Sequence, residues 1–181
     1  MTRSTVSFVV VFLSASIGIQ AAGLAISSPA FVQNGVIPTA NTCDGSAGNP
    51  RLVFTDVPPR ARSLAVIVDD PDVPRLLRSN RVYVHWAKWD LAPETTGIAE
   101  GKADGGINED GGPGYVAPCP PSGEHRYIFK LFALDTVLGP SVIVSTPGDL
   151  SRAMADMFLR RQKLLAATED LARYRWTHSE S

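Results

Sequence analysis

The sequence predicts a mainly β protein, an antiparallel β-sandwich with short peripheral and C-terminal helices. Three observations point there. Apolar runs of strand length recur along the chain, separated by loops dense in Gly, Pro, Asn and Asp. Apolar residues at helical spacing appear only late, from Asp149 onward. Nothing alternates strand, helix and strand, which disfavours a doubly wound parallel sheet. At 181 residues, 44% hydrophobic and 19% charged, the chain suits one globular domain with a real core.

The first 22 residues read as a secretory signal peptide, leaving 23–181 as the domain. Arg3 supplies a basic start, Val6 to Ile19 is apolar apart from Ser7, Ser14, Ser16 and Gly18, and Ala21-Ala22-Gly23 offers small residues for cleavage. The alternative is an uncleaved N-terminal anchor. The apolar run is short and diluted against the roughly 20 residues a spanning helix needs, so no stable membrane span is expected. The protein is therefore expected to be exported, periplasmic or extracellular.

Leu24-Ala25-Ile26 reads as a short first strand, followed by turn-rich chain from Pro29 to Pro50. Arg51 to Phe54 is a second strand, stopped by Asp56 to Pro59. Leu64 to Val68 is too uniformly apolar for a half-exposed strand and is expected at the centre of a sheet. Val82 to Trp89 alternates and reads as a strand with two different faces. Gly97 to Gly114 makes a long surface connection, and Tyr127 to Leu134 is a further strand. From Asp149 to Lys163, Leu150, Met154, Met157 and Phe158 predict a helix, with Thr146-Pro147-Gly148-Asp149 as its cap. A short second helix is expected from Leu164 to Leu171.

The formal net charge of -1 lacks the basic field that nucleic-acid binding needs. Export bears on the two cysteines. Cys43 and Cys119 both sit in turns, and an oxidising compartment allows them to pair, the alternative being two separate buried thiols. Such a bridge closes a long loop and stabilises by about 3–5 kcal/mol if unstrained.

The chemistry-bearing residues lie at strand ends. Asp70 and Asp72 straddle Pro71, with Pro74 closing the turn, so both carboxylates are held with little entropy left to lose. They can cap backbone N–H groups, face a ligand or bind a hard cation. His85, before Trp86, is either a satisfied core residue or a pocket residue. His125 follows a Gly/Pro loop and offers a donor and an acceptor, and the Tyr127 phenol can donate to an anionic oxygen. Arg126 lies between them, so on one extended strand it faces the other way and is expected in a structural salt bridge. No Gly-x-Ser-x-Gly elbow, Ser-x-x-Lys or His-Glu-x-x-His occurs. A metal-dependent hydrolase built on the Asp/His cluster is the alternative from another class.

These blocks resemble the phosphatidylethanolamine-binding protein family, in its bacterial Raf-kinase-inhibitor-like branch. The resemblance rests on Asp70-Pro71-Asp72-Val73-Pro74, His85-Trp86, Gly114-Tyr115, Pro118-Cys119-Pro120-Pro121-Ser122-Gly123 and His125-Arg126-Tyr127. Upstream, Ser28-Pro29-Ala30-Phe31 and Thr42-Cys43-Asp44-Gly45 also fit, so the likeness spans residues 24 to about 176. It implies a non-enzymatic binding protein with a small pocket for phosphate or phosphoethanolamine-like head groups, without metal or cofactor. The implied ligand-binding set is Asp70, Asp72, His85, Gly114, Tyr115, Pro118, Pro120, His125 and Tyr127. It also implies the alternative of a regulator of partner proteins, or a serine protease inhibitor acting through surface loops, as monomer or homodimer. The chain departs from the branch at Val116-Ala117, where relatives usually carry glycines, and in the Arg75 to Arg81 segment, whose three arginines make a basic rim suited to phosphate.

Overall fold

The computed structural model describes residues 23–46, 48–140, 143–155 and 157–168. The expected signal peptide lies outside them. The strands run in chain order as β1 (Ala25–Ser27), β2 (Gly35–Val36), β3 (Leu52–Thr55), β4 (Ser63–Asp70), β5 (Tyr83–Leu91), β6 (Gly97–Ile98), β7 (Arg126–Leu134) and β8 (Phe158–Ala167), with a 3-10 turn at Thr39–Asn41 and an α-helix, α1 (Pro147–Ala153), before β8. A three-stranded sheet, β1-β3-β6, faces a five-stranded sheet ordered β2-β8-β7-β4-β5. Every pairing is antiparallel except the two-residue contact of β2 with β8. Among the described residues, no helix is long and apolar enough to cross a membrane.

The uniform apolarity of β4 has a direct cause. Leu64, Val66 and Val68 point into the sandwich, against Leu52, Phe54, Phe129 and Leu131. Ala65 and Ile67 point the other way, into a second core with Phe132, Leu134 and the α1 residue Leu150. Both faces are covered, so all eight residues of β4 are buried and none can be spared for polar chemistry until the strand ends.

Two expectations fail, both over residues 158–167. Residues 158–167 form a strand, not the continuation of a helix. The Thr146–Asp149 capping box starts α1 as predicted, but the helix stops at Ala153 with Met154 as its cap. Beyond it, β7 has an unpaired edge nine residues long, and Phe158 to Ala167 fills it from Leu134 back to Arg126. Leu164 and Ala166 then face the sandwich at period two. The helical spacing read from Met157 and Phe158 is overridden by that pairing. The expected second helix is likewise strand from Leu164 to Ala167, and its end at 169–171 falls outside the described residues.

The long 97–114 connection is fastened rather than loose. Ile107 exchanges hydrogen bonds with Ala87 of β5, and the Trp86 indole N–H donates to the Gly105 carbonyl at 2.9 Å. Gly106 sits at φ +70 with the Ala87 carbonyl 2.4 Å from where a Cβ would stand, so only glycine fits.

Cys43 and Cys119 form a disulfide with Cα atoms 5.3 Å apart. Beside it, the Cys43 N–H donates to the Pro118 carbonyl at 2.9 Å. Replacing both cysteines by serine should lower the unfolding free energy by about 3–5 kcal/mol, read from urea denaturation. Non-reducing peptide mapping should recover one cross-linked pair.

Candidate functional site

The site forms where β4 and β5 meet the start of β7, under the wall 116–121. Two successive buried carboxylates end β4, and alternation sends them to opposite faces. The Asp69 Oδ2 accepts from Lys130 Nζ at 2.6 Å. Asp70 turns the other way. Its Oδ1 accepts the Asp72 N–H at 2.8 Å, closing a turn around Pro71, and its Oδ2 meets His125 Nδ1 at 2.6 Å. Asp70 and His125 are 3% and 4% exposed, so each is the other's substitute for water.

Asp72 is placed differently from the sequence expectation. Its carboxylate takes Arg126 Nε and Nη2 at 2.8 and 2.7 Å and the Arg126 N–H at 3.0 Å. This bidentate pair lies outside the cavity and holds the carboxyl at about 2, below its ordinary value, chiefly through the Arg126 side-chain hydrogen bond. Arg126 thus makes the structural salt bridge expected of it, and His125, just before β7, and Tyr127, its second residue, share the inward face.

His85 is buried, and its Nδ1 lies 2.8 Å from the Val116 carbonyl, so that nitrogen carries the proton and donates it. Burial pushes the imidazole below its usual pKa, against the carbonyl bond and the Asp70 charge, which act the other way. It is neutral, with Nε2 an acceptor. Edge-on ring contacts pack it between Tyr83 at 4.8 Å and Tyr127 at 5.2 Å. Burial, and next the Asp70 charge, raise the Tyr127 phenol, which stays protonated and able to donate.

A cavity of about 420 Å³ opens between these groups. Its polar lining is Asp70, His85, His125, Tyr83, Tyr127 and Arg78. Its apolar wall comes from Val73 and Leu77 on one side and from Val116, Ala117, Cys119, Pro120 and Pro121 on the other. Of the residues expected from the sequence, Asp70, His85, Pro120, His125 and Tyr127 border it. Asp72, Gly114, Tyr115 and Pro118 do not. Gly114 supports the loop from behind at φ +78, the Tyr115 ring packs edge-on to Trp86 at 6.3 Å, and Pro118 gives its carbonyl to Cys43.

Sequence reasoning missed Tyr83, and read Arg78 only as one of three arginines of a basic rim. Tyr83 stands two residues before His85 on one strand, and period two was the available signal. Its hydroxyl donates to Asp110 at 2.6 Å, while Arg78 spans Glu109 and Asp110 at 3.1 Å each and stacks over the Tyr83 ring at 4.9 Å. That cluster of side chains forms one wall of the cavity. Among the described residues, no three His, Cys, Asp or Glu side chains converge as metal ligands. The physical reason is that Asp72 is spent on Arg126 and Asp70 on His125.

Fold and site together define a class: a two-sheet β protein whose strand ends enclose a small cavity of one carboxylate, two imidazoles and phenols. Residues 27–169 match the family Phosphatidylethanolamine-binding protein, and the chain belongs to that family. It is 43% identical to the UPF0098 protein of Chlamydia pneumoniae over 145 residues, 78% of this chain and 96% of that one. With the UPF0098 protein of Methanothermobacter thermautotrophicus it shares 40% over 149 residues, 77% and 95% of the two chains. Its fold is similar to the crystal structure of CT736, a phosphatidylethanolamine-binding protein homologue from Chlamydia trachomatis, with a TM-score of 0.77, 36% identity and coverage of 82% and 98%. It is also similar to YbcL of E. coli, TM-score 0.70 at 22% identity, covering 82% and 99%.

The buried groups set a pH profile for stability. His85 is neutral in the fold but takes up a proton in the unfolded chain below about pH 6.5. The unfolded state then binds more protons, so stability falls as pH drops through that range. Asp72 behaves likewise lower down. Its native pKa of about 2, against 3.8, gives stability that is present above pH 4 and lost toward pH 2, muted by its partly exposed partner. Urea midpoints should therefore decline from pH 7.5 to 5.5, and His85→Gln should flatten that decline. Arg126→Gln should flatten only the acid limb.

Proposed function

We propose that the cavity binds a phosphate-bearing small molecule, phosphoethanolamine-like in its head group, without turning it over. The carrying observation is the pairing of Asp70 with His125 beside a neutral, acceptor-only His85 and a protonated Tyr127. Tyr127 supplies a donor to an anionic oxygen. The Nε2 of His85 wants a donor from the ligand, which either a P–OH group or an ammonium provides. The Asp70 carboxylate suits the ammonium. About 420 Å³ holds such a head group with room for a further substituent.

Three points support binding over catalysis. Among the described residues, no serine or threonine borders the cavity, and the one sulfur there, Cys119, is in the disulfide. One protein hydrogen bond on each Asp70 oxygen fixes that carboxylate in place, which leaves lone pairs for a ligand N–H but no freedom to attack as a nucleophile. The family is named for binding a phospholipid and not for a reaction. The oriented Asp70–His125 pair favours one second reading, in which His125 acts as general base on a water. Export, with removal of the first 22 residues, is supported by their composition and by the disulfide. Intact mass of the secreted protein checks it.

The neutral His85 also predicts where pH acts. Phosphate monoesters should bind more tightly near pH 6 than near pH 8, because the ligand then carries the P–OH that His85 accepts, its second pKa being near 6. A glycerophosphoethanolamine diester lacks that proton and should show little of this change. Calorimetry or NMR titration should give weak binding, about millimolar, for ligands this small, and His125→Ala should weaken both by about tenfold. Equal binding by wild type and variant would reject the assignment. Phosphoester hydrolysis that is lost in Asp70→Ala would favour the second reading.

A further inference from the structure

Between the carboxylate turn and β5, residues 74–81 form a tight loop tied by hydrogen bonds from the Leu77 and Arg78 N–H groups to the Pro74 carbonyl and from the Arg81 N–H to the Arg78 carbonyl. Its tip is apolar and outside. Leu76 is 100% exposed and Leu77 65% exposed, adjacent leucines that meet no core. Arginines punctuate them. Arg78 is spent on Glu109 and Asp110, whereas Arg75 and Arg81 make no ion pair among the described residues. Leu77 and Arg78 also line the cavity, so the tip stands at its mouth.

We propose that this loop docks the protein on a phospholipid bilayer surface, Leu76 and Leu77 entering the interface and Arg75 and Arg81 meeting anionic head groups. It rests on the head-group reading of the adjoining cavity for the identity of the surface. The shape argues for a bilayer over a protein partner. A protein interface wants a contiguous packed patch, while two leucines on one protruding turn, flanked by free cations, fit the headgroup–acyl boundary, where apolar area and basic charge act together. The fold spends stiffness to keep the tip out: Pro74 fixes its start, and Arg78 pins its end to Glu109, Asp110 and the Tyr83 ring. A loop with only a linking role would gain by folding those leucines back.

The test is co-sedimentation of the folded protein with vesicles of phosphatidylethanolamine and phosphatidylglycerol, with pure phosphatidylcholine vesicles alongside. Leu76→Ser with Leu77→Ser should lower partitioning about tenfold or more. Arg75→Gln should lower it about fivefold on the anionic vesicles only. In Leu76→Trp, the emission difference from wild type should shift to the blue on anionic vesicles, which reports burial of that side chain directly. Emission that neither vesicle shifts, or partitioning unchanged in the double serine variant, would overturn the proposal and leave a protein surface as the occupant. Soluble glycerophosphoethanolamine separates the two readings. Leu76→Ser alone, at a residue that does not border the cavity, should bind it like wild type while partitioning less onto anionic vesicles, and failure of both proteins to bind it counts against the cavity, not the loop.

Discussion

A carboxylate buried at the end of a fully enclosed strand must find a partner, and the rest of the site follows from how Asp70 finds one. β4 is covered on both faces, so its end delivers Asp69 and Asp70 into low-dielectric surroundings with little water to solvate them. Breaking a buried pair by removing one member typically costs about 3–5 kcal/mol, because the other is left charged and alone. Lys130 from β7 answers Asp69. His125, just before β7, answers Asp70. Both partners come from β7 and the residue just before it, and β7 pairs along β4, so sheet register and ion pairing specify one another.

The same economy explains why the cavity is less charged than its sequence suggests. Two aspartates, two histidines and several arginines converge on this end of the sandwich, but most are neutralised before they reach it. Asp72 takes Arg126 on the outside. Arg78 takes Glu109 and Asp110 at the rim. His85 gives its one proton to Val116 and stays neutral through burial. What is left inside is one carboxylate, two imidazole edges and phenols, a set suited to hydrogen bonds with a zwitterionic or singly charged group.

Most of this was legible in the chain, and the gaps have physical causes. The central strand, the two-faced strand and the helix cap could be read because local pattern and tertiary demand agree there. The opposite orientations of Arg126 and His125 followed from alternation alone. The strand at 158–167 could not be read, because Met154, Met157 and Phe158 imitate a helical stripe and only the open edge of β7 decides otherwise. Asp72 was misplaced for a similar reason. The residue pattern showed a rigid pair of acids but not that a guanidinium 54 residues away would claim the second one. Gly114, Tyr115 and Pro118 belong to the loop that builds the wall, and proximity in sequence to the cavity did not distinguish lining from backing.

The wall itself shows how a loop without regular structure acquires the precision of a strand. Residues 116–121 are too rich in proline to pair as a strand, yet they supply five of the thirteen residues that border the cavity. They are held at one end by the reciprocal bonds of Val116 with His85 and at the other by the Cys43 disulfide and the Cys43–Pro118 bond. Prolines between those anchors leave few torsions free. The opposite side is built on another plan, with Pro74 and the Arg78 pairs fixing a turn whose leucines stay in solvent. One wall is covalently fixed and faces inward. The other is pinned by charge and presents apolar surface outward, so the asymmetry of the mouth follows from what each loop is tied to.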